Sequence, residues 1–459
     1  MNPRVLLTFV VLALFFAGVV PASERTSESI APGLTHHVLS KGEVATSKGY
    51  RIVIGEFDNQ ADADRVLEGL QENMVTVFPV SSGGDYSIVT PGLPNRAEAE
   101  ALRQRLIELG FSPPLEIEEI SHDLTHTDGP WKSHVLEADP KKVDVRVAHA
   151  HDAAIGLETT VDLAVRRGAL AAINGGYYYM EGELAGDSRG AVEIDDRLLS
   201  EPDRGRASVG LFARDGATRS VFGRLGFQGW IHLATGEPFR FRGINRKRDP
   251  SEIVLFTPDF HPTTLTPPGG AEVVITNSRI VAIGEGSGST PIPPDGIVLS
   301  IGAERLEEVL PRLRVGDTAS IQLRLIPLLA DPERDWARTE HIVSGGPLLL
   351  WRGNRIEDPQ VESISRVFFL ARHPRTAVGV REDGTLLFVT VDGRRPEESV
   401  GMSLPELTDL MIELGAVSAI NLDGGGSTTM VIDGKVVNRP SGGSPRRNAD
   451  AILLYPRKP

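Results

Sequence analysis

The sequence predicts an α+β protein. It consists of one large, sheet-rich mixed α/β domain and one small βαβ-repeat domain of ferredoxin-like type near its start. Three observations carry this. A strand–helix–strand pattern occurs twice between residues 50 and 120. From about residue 128, strand-like segments follow one another with Asp-Gly turns between many of them. Only two strong helix patterns interrupt that run. The 48 glycines and 32 prolines suit short strands joined by tight turns, and 459 residues exceed one ordinary core.

The first copy of the repeat reads YRIVIGEF, a polar DNQADADRVLEGLQ, then TVFPV. The second reads DYSIVTPGL, NRAEAEALRQRLIELG, then PLEIEEI. In the second helix Ala97, Ala101, Leu102 and Leu109 fall near one face, and Gly110 is the stop signal. Two such halves make one sheet covered by two helices.

In the large domain the strands are SHVLEAD, VDVRVAHA, ASVGLFA, EPFRFRG, AEVVITN, ASIQLRLIPLL, GTLLFVTV and TTMVIDGKVV. One helix begins at Thr159 or Thr160 and ends at Gly168. The other begins at Ser403, where Ser403 and Glu406 have capping-box spacing, and Gly415 ends it. Both lead into a similar segment: Gly-Ala-Leu-Ala-Ala-Ile-Asn at 168–174 and Gly-Ala-Val-Ser-Ala-Ile-Asn at 415–421. The repetition is read as two equivalent strand ends delivering polar loops to one cleft.

Four segments carry the chemistry. They are Ala171–Tyr178, with Asn174, Gly175 and Gly176; Ser344-Gly345-Gly346-Pro347; Arg372–Gly379, closing at Val391-Asp392-Gly393-Arg394; and Asn421–Thr429, with Asp423, Gly424, Gly425, Gly426, Ser427 and Thr428. A strand that ends in a carboxylate and three glycines lets backbone approach a ligand, and successive N–H groups there can form an anion nest. Arg375 and Arg394 are expected at the same end of a hairpin, where two guanidiniums match phosphate oxygens. The alternative is an Asp392–Arg375 structural ion pair. Asp392 and Asp423 are the paired carboxylates expected of glycoside cleavage, with Glu193 a weaker third. A phosphate leaving group needs little protonation, so cations can replace part of an acid's role.

These segments resemble the phosphodiester glycosidase family. AINGGYY, SGGPLL, PRTAVG, VDGR, and LDGGGSTTM followed by NRPS stand here in the family's order over roughly residues 130–455. The resemblance implies hydrolysis of sugar-1-phosphodiesters. It implies a cleft holding Asn174, Arg375, Thr376, Asp392, Arg394, Asp423, Gly424, Ser427, Thr428 and Asn438. Arg446 matches a recurring family arginine, with Arg447 beside it leaving the register open. Tyr178 replaces the family's usual Phe, His373 stands where Asn is common, and Asp450 occupies a position often Asn. Residues 48–120 resemble a SPOR domain, carried by Tyr50-x-Ile52-x-x-Gly55-x-Phe57 and the Ala-rich helix starts. That resemblance implies peptidoglycan as a partner and a bacterial cell envelope as location.

The N-terminus reads as a secretory signal peptide over 1–22. Arg4 precedes an uncharged run from Val5 to Val20, and Val20-Pro21-Ala22 offers a cleavage site. Membrane attachment follows only if that segment stays uncleaved. Residues 23–47 are read as the opening strand and linker of the catalytic domain, and 121–459 as its remainder, with 48–120 inserted in a loop. Net charge of −14 argues against nucleic-acid partners. No cysteine is present, which excludes disulfides and thiolate metal sites. No cofactor is expected; the oxygen ligands of Asp423 or Asp392 would suit a divalent cation such as calcium or magnesium. His36, His37, His122 and His126 are read as solvated linker histidines, and Arg246-Lys247-Arg248 as a solvated loop. Two other readings stay open: a non-catalytic glycan-binding envelope protein, and a glycosidase acting on a non-phosphorylated glycan.

Overall fold

The computed structural model describes residues 23–43, 49–82, 85–111, 114–120, 129–234 and 237–457. The signal-peptide reading of 1–22, and His122 and His126, lie outside the described residues. Among the described residues no helix is long and apolar enough to cross a membrane.

Two sheets packed face to face carry the site. The first has eight strands, in the order Ser23–Ala31, Leu34–Lys41, Trp131–Ala138, Leu386–Val391, Arg375–Arg381, Ala416–Asn421, Leu348–Trp351 and Asn354–Arg355. The second has five: Lys435–Val436, Met430–Ile432, Ala171–Asn174, Asp450–Pro456 and Val143–His149. Val378, Phe388 and Ile420 from the first pack with Ile173, Met430 and Ile452 from the second in one buried core. Each sheet's outer face is covered by a helix. Leu404, Leu407 and Met411 of Leu404–Glu413 cover the first, and Leu163 and Ala164 of Thr160–Arg167 cover the second. The order through the molecule is therefore helix, sheet, sheet, helix.

Both helices stop and start where local chemistry demands. The Thr159 side chain accepts from the Asp162 N–H, and Gly168 ends the helix at φ 67°, a left-handed conformation that costs glycine little. Ser403 and Glu406 form a complete capping box. The sheet-rich expectation holds, and each strand named from sequence lies in a strand or includes one. A 17-residue strand, Ala217–Leu233, was not foreseen; it pairs with Ala319–Ala330 in a further sheet. A separate five-stranded sheet, between Gly243 and Ile301, has its own core around Val273, Leu255 and Leu299.

Leu34–Lys41 pairs antiparallel with Trp131–Ala138 along its whole length, from Leu34 opposite Ala138 to Lys41 opposite Trp131. The chain between them forms a four-stranded antiparallel sheet in the order Phe78–Ser82, Asp85–Val89, Gly49–Phe57, Leu115–Ile120, with helices Gln60–Glu72 and Arg96–Glu108. The buried face of the second helix is Ala99 and Leu106 with Leu102 partly covered; Ala97, Ala101 and Leu109 face water. The observed face is rotated from the predicted one, because Arg and Glu fill six of the 13 positions of this helix and leave little apolar periodicity.

Candidate active site

The twin strand ends meet. Asn174 and Asn421 are both buried at the ends of strands from opposite sheets. Asn174 Nδ2 donates to the Asp423 carbonyl at 2.8 Å, and its Oδ1 accepts from Thr376 Oγ1 at 2.8 Å and the Thr429 N–H at 3.0 Å. Asn421 Nδ2 reaches Gly346 O and Tyr177 Oη at 2.7 and 3.0 Å. Asn174 and Thr376 therefore act as a clamp behind the 423–429 loop, with their polar atoms already occupied. That geometry makes them positioning residues.

Asp423 follows the second strand end. Its N–H donates to Gly175 O at 3.1 Å, and its Oδ1 accepts from the Gly424 N–H at 2.9 Å. Burial pushes its carboxyl up to about 6, against the opposing effects of the Ser427 hydroxyl, the Gly424 N–H and the Arg446 charge. The glycines do not form an open anion nest, contrary to expectation. The Gly424 N–H serves Asp423 itself, the Gly425 N–H donates to Pro374 O at 2.9 Å, and the Ser427 N–H to Gly424 O. Their function is close approach. A Cβ on Gly424 would stand 2.6 Å from Pro374 O, one on Gly425 3.3 Å from Arg394 Nη2, and one on Gly426 2.5 Å from Arg446 Nη2.

Arg394 and Arg446 thus lie against the glycine loop. Both are exposed, and neither forms a close ion pair with a carboxylate among the described residues, although the Arg446 charge acts on Asp423. Arg394 Nη2 approaches His373 Nδ1 at 3.4 Å, and Arg446 Nη1 approaches Met180 Sδ at 3.5 Å. Arg446 settles the register question left between 446 and 447, since Arg447 lies in a short strand opposite Thr159. The extra Tyr178 hydroxyl donates to Arg447 O at 2.7 Å and so holds this segment in place.

The expected Arg375–Arg394 pair is not built as predicted. Arg375 begins its strand opposite Val391, as the hairpin requires, but its side chain is buried on the other side. Nε donates to Met402 O at 2.8 Å, Nη2 to Ala371 O at 2.7 Å and Phe368 O at 3.1 Å, and the guanidinium lies 4.8 Å from the Phe368 ring centroid. Burial lowers it to about 10, so it stays charged. The alternative Asp392–Arg375 ion pair is absent too. Asp392 is 3% exposed; its Oδ1 accepts from the Arg439 N–H at 2.9 Å and Asn438 Nδ2 at 3.3 Å. Asn438 also donates to Thr428 O and accepts from the Met430 N–H. Asp392 therefore stands behind Asn438 and underpins the loop.

The carboxyl coupled to Asp423 is Asp450, which sequence reasoning left out of the site. It is 1% exposed; Oδ1 accepts from the Gly176 N–H at 2.7 Å and Oδ2 from Ser188 Oγ at 3.2 Å. Burial, then these opposing hydrogen bonds, then the Asp423 charge act on it, with a net rise to about 6. Gly175 is glycine because a Cβ there would fall inside the Asp450 carboxylate. Ser344 Oγ is spent on Ser208 Oγ at 2.7 Å, and the Gly345 and Gly346 N–H groups on Ala207 O and Asn421 O. This segment is a wall of the site with no free donor on those atoms. Glu193 lies on the strand Val192–Ile194 in a different sheet, where it accepts from Thr339 Oγ1. No group of three or more His, Asp or Glu is placed to hold a metal among the described residues.

Two discounted groups are corrected. His36 and His37 are buried in the strand Leu34–Lys41, with His36 Nε2 3.1 Å from His134 Nδ1. Arg246 bonds Glu201 and Glu252, and Arg248 is buried against Ser300.

Comparison with known proteins agrees with this architecture. The crystal structure of a Burkholderia pseudomallei K96243 protein described as a candidate exported protein superposes with a TM-score of 0.73, covering 99% of this chain and 100% of that one at 24% identity. That likeness shows the fold. An uncharacterized prophage-derived protein, YomE, of Bacillus subtilis (strain 168) is 41% identical over 86 residues, 18% of this chain. The N-acetylglucosamine-1-phosphodiester alpha-N-acetylglucosaminidase of Bos taurus is 43% identical over 67 residues, 15% of this chain. The matched segments span only 13% and 12% of those two relatives. Residues 269–455 match the family model for phosphodiester glycosidase.

Proposed function

We propose that the protein is an exported hydrolase of sugar-1-phosphodiester linkages in cell-envelope polymers or glycoconjugates. One observation carries the reading: a half-buried carboxyl, Asp423, beside a glycine loop flanked by two guanidiniums, Arg394 and Arg446, that form no close ion pair among the described residues. Fork-shaped cations against backbone without side chains suit a phosphate held at close range. Hydrolysis breaks the bond between the anomeric carbon and the phosphate oxygen. Water supplies the new hydroxyl on the sugar, and the phosphomonoester leaves with the bonding electrons. The arginines stabilise that leaving charge, so the acid's share of the work is small. Asp423, with Asp450 behind it, supplies the carboxyl that faces the anomeric carbon or its water. The inserted segment 48–120 is assigned to peptidoglycan, and residues 1–22 to export.

The test is turnover of a synthetic N-acetylglucosamine-1-phosphodiester by the full chain, with Asp423→Asn as control. Release of sugar by wild type and its loss in the variant is the expected result. Absence of turnover across several sugar-1-phosphodiesters, with the variant indistinguishable, would return the chain to a glycan-binding role.

A further inference from the structure

Beside the site lies an open cavity of about 770 Å³ that the catalytic reading does not use. Its wall includes Asp187, Ser188 and Arg189, and across it Arg240 and Arg242. Ser188 is the shared partition, since its hydroxyl bonds Asp450. Tyr179 lines the cavity one residue before Met180, on which Arg446 rests. The cavity therefore adjoins the site through Asp450 and through the segment on which Arg446 rests. A second cavity, of about 950 Å³, continues from it, sharing Tyr179, Asp187 and Arg246.

The chemistry of the lining is unusual for a structural groove. Arg189, Arg240 and Arg242 form no close ion pair among the described residues, although the Arg189 charge acts on Asp187 and the Arg242 charge on Glu252. Arg189 lies over the Tyr179 ring and its Nε is buried with no hydrogen bond. Arg240 is spread over Trp230, 4.4 Å from the ring centroid. Asp187 is 3% exposed, and its carboxylate meets neither a hydrogen-bond donor nor an ion-pair partner among the described residues. Burial and the nearby Glu201 push it up to about 8, against the opposing charges of Arg246 and Arg189. A buried carboxyl of this kind is costly unless something else meets it. Protonated, it offers an O–H to an acceptor oxygen, while the three guanidiniums offer forks to anions.

We propose that this cavity is the leaving-group side of the site, taking the part of a linear phosphate-bearing chain that continues beyond the scissile phosphodiester. The inference rests on the hydrolase reading above. Arg394 and Arg446 hold the reacting phosphate; Arg189, Arg240 and Arg242 hold the next ones. Substrates are then polymers with repeating phosphates, and neutral glycans are poor occupants.

The experiment compares wild type with an Arg240→Ala/Arg242→Ala double variant, both positions being exposed and outside the site itself. Binding is measured calorimetrically with poly(glycerol phosphate) and with dextran of equal length, at two salt concentrations. Turnover is measured in parallel on a short sugar-1-phosphodiester with a methyl leaving group. Wild type is expected to bind the anionic polymer, to weaken with salt, and to ignore dextran; the double variant loses about tenfold or more in polymer affinity and keeps its turnover of the short compound. Equal binding of dextran, unchanged polymer affinity in the variant, or an equal loss on the short compound overturns the proposal. Failure of wild type to cleave any short compound refutes the hydrolase reading instead, and the binding arm still decides whether the cavity takes the polymer.

Discussion

Asp450→Asn is the substitution whose effect the structure specifies most closely. The carboxyl is almost fully buried and is raised from 3.8 to about 6. That difference of about 2 units makes the ionised form cost about 3 kcal/mol in the folded chain, at about 1.4 kcal/mol per unit. Asparagine keeps both contacts: its Oδ1 still accepts from the Gly176 N–H, and its Nδ2 can donate to Ser188 Oγ. The sign follows from linkage. An acid whose folded value lies above its unfolded value destabilises the fold above the folded value, and the penalty disappears below the unfolded one. The variant should therefore be more stable than wild type by about 1–3 kcal/mol at pH 7.5, after allowing for weaker neutral hydrogen bonds. The gain should vanish by about pH 4, as expected from that unfolded value. Urea unfolding at the two pH values measures this directly. A variant less stable at pH 7.5, or a gain that does not change with pH, would refute the claim that a costly charge sits there. The Asp423 charge raises Asp450, and because repulsion between two carboxylates is reciprocal the same variant should move the limb of the pH–rate profile near 6 downward.

Arg394→Ala and Arg446→Ala should each lower kcat/KM on a sugar-1-phosphodiester by about 100-fold while leaving the urea midpoint unchanged, because both side chains are exposed and neither forms a close ion pair among the described residues; a loss below threefold would remove them from phosphate binding. Gly175→Ala should destabilise by about 3 kcal/mol or more, since the new Cβ collides with a buried carboxylate, whereas Gly426→Ala displaces only the mobile end of Arg446 and should cost activity with little change in midpoint. Asp64→Ala removes an acceptor 2.6 Å from the Val367 N–H and should cost about 1 kcal/mol by differential scanning calorimetry.

How far the sequence could be read depended on range. The two helices with Thr159 and Ser403 caps were legible because capping is a matter of three adjacent residues. The twin Ala-Ile-Asn strand ends were legible as a repeat, and Asn174 and Asn421 do come together. Asp450 carried no local signal: it meets Gly176 across 274 positions of chain, and nothing in Asn448-Ala449-Asp450 marks that contact. Arg375 was misdirected for a similar reason. Hairpin counting places it at the correct end of the strand, but its direction is set by Arg366–Leu370, a five-residue helix too short to show periodicity. The strand Ala217–Leu233 was missed because glycines at 223, 226 and 229 break its alternation.

Arg375 also explains how the inserted domain is joined to the chemistry. A buried guanidinium with no close carboxylate among the described residues carries a desolvation cost of several kcal/mol, which three carbonyls and the Phe368 ring must offset. Two of those carbonyls, Phe368 and Ala371, belong to or follow the helix Arg366–Leu370. That helix is held from the other side by the small domain: Asp64 accepts from the Val367 N–H, and Val367 and Ala371 are buried in the same core as Ile52, Leu67 and Ile88. From the same domain Tyr86 meets His373 edge-on, and His373 approaches Arg394. The insertion is therefore not a loose attachment. It forms the outer support of the wall that orients one arginine of the site and buries another. Removing it would uncover Val367 and Ala371, in the segment that supplies two of the carbonyls on Arg375.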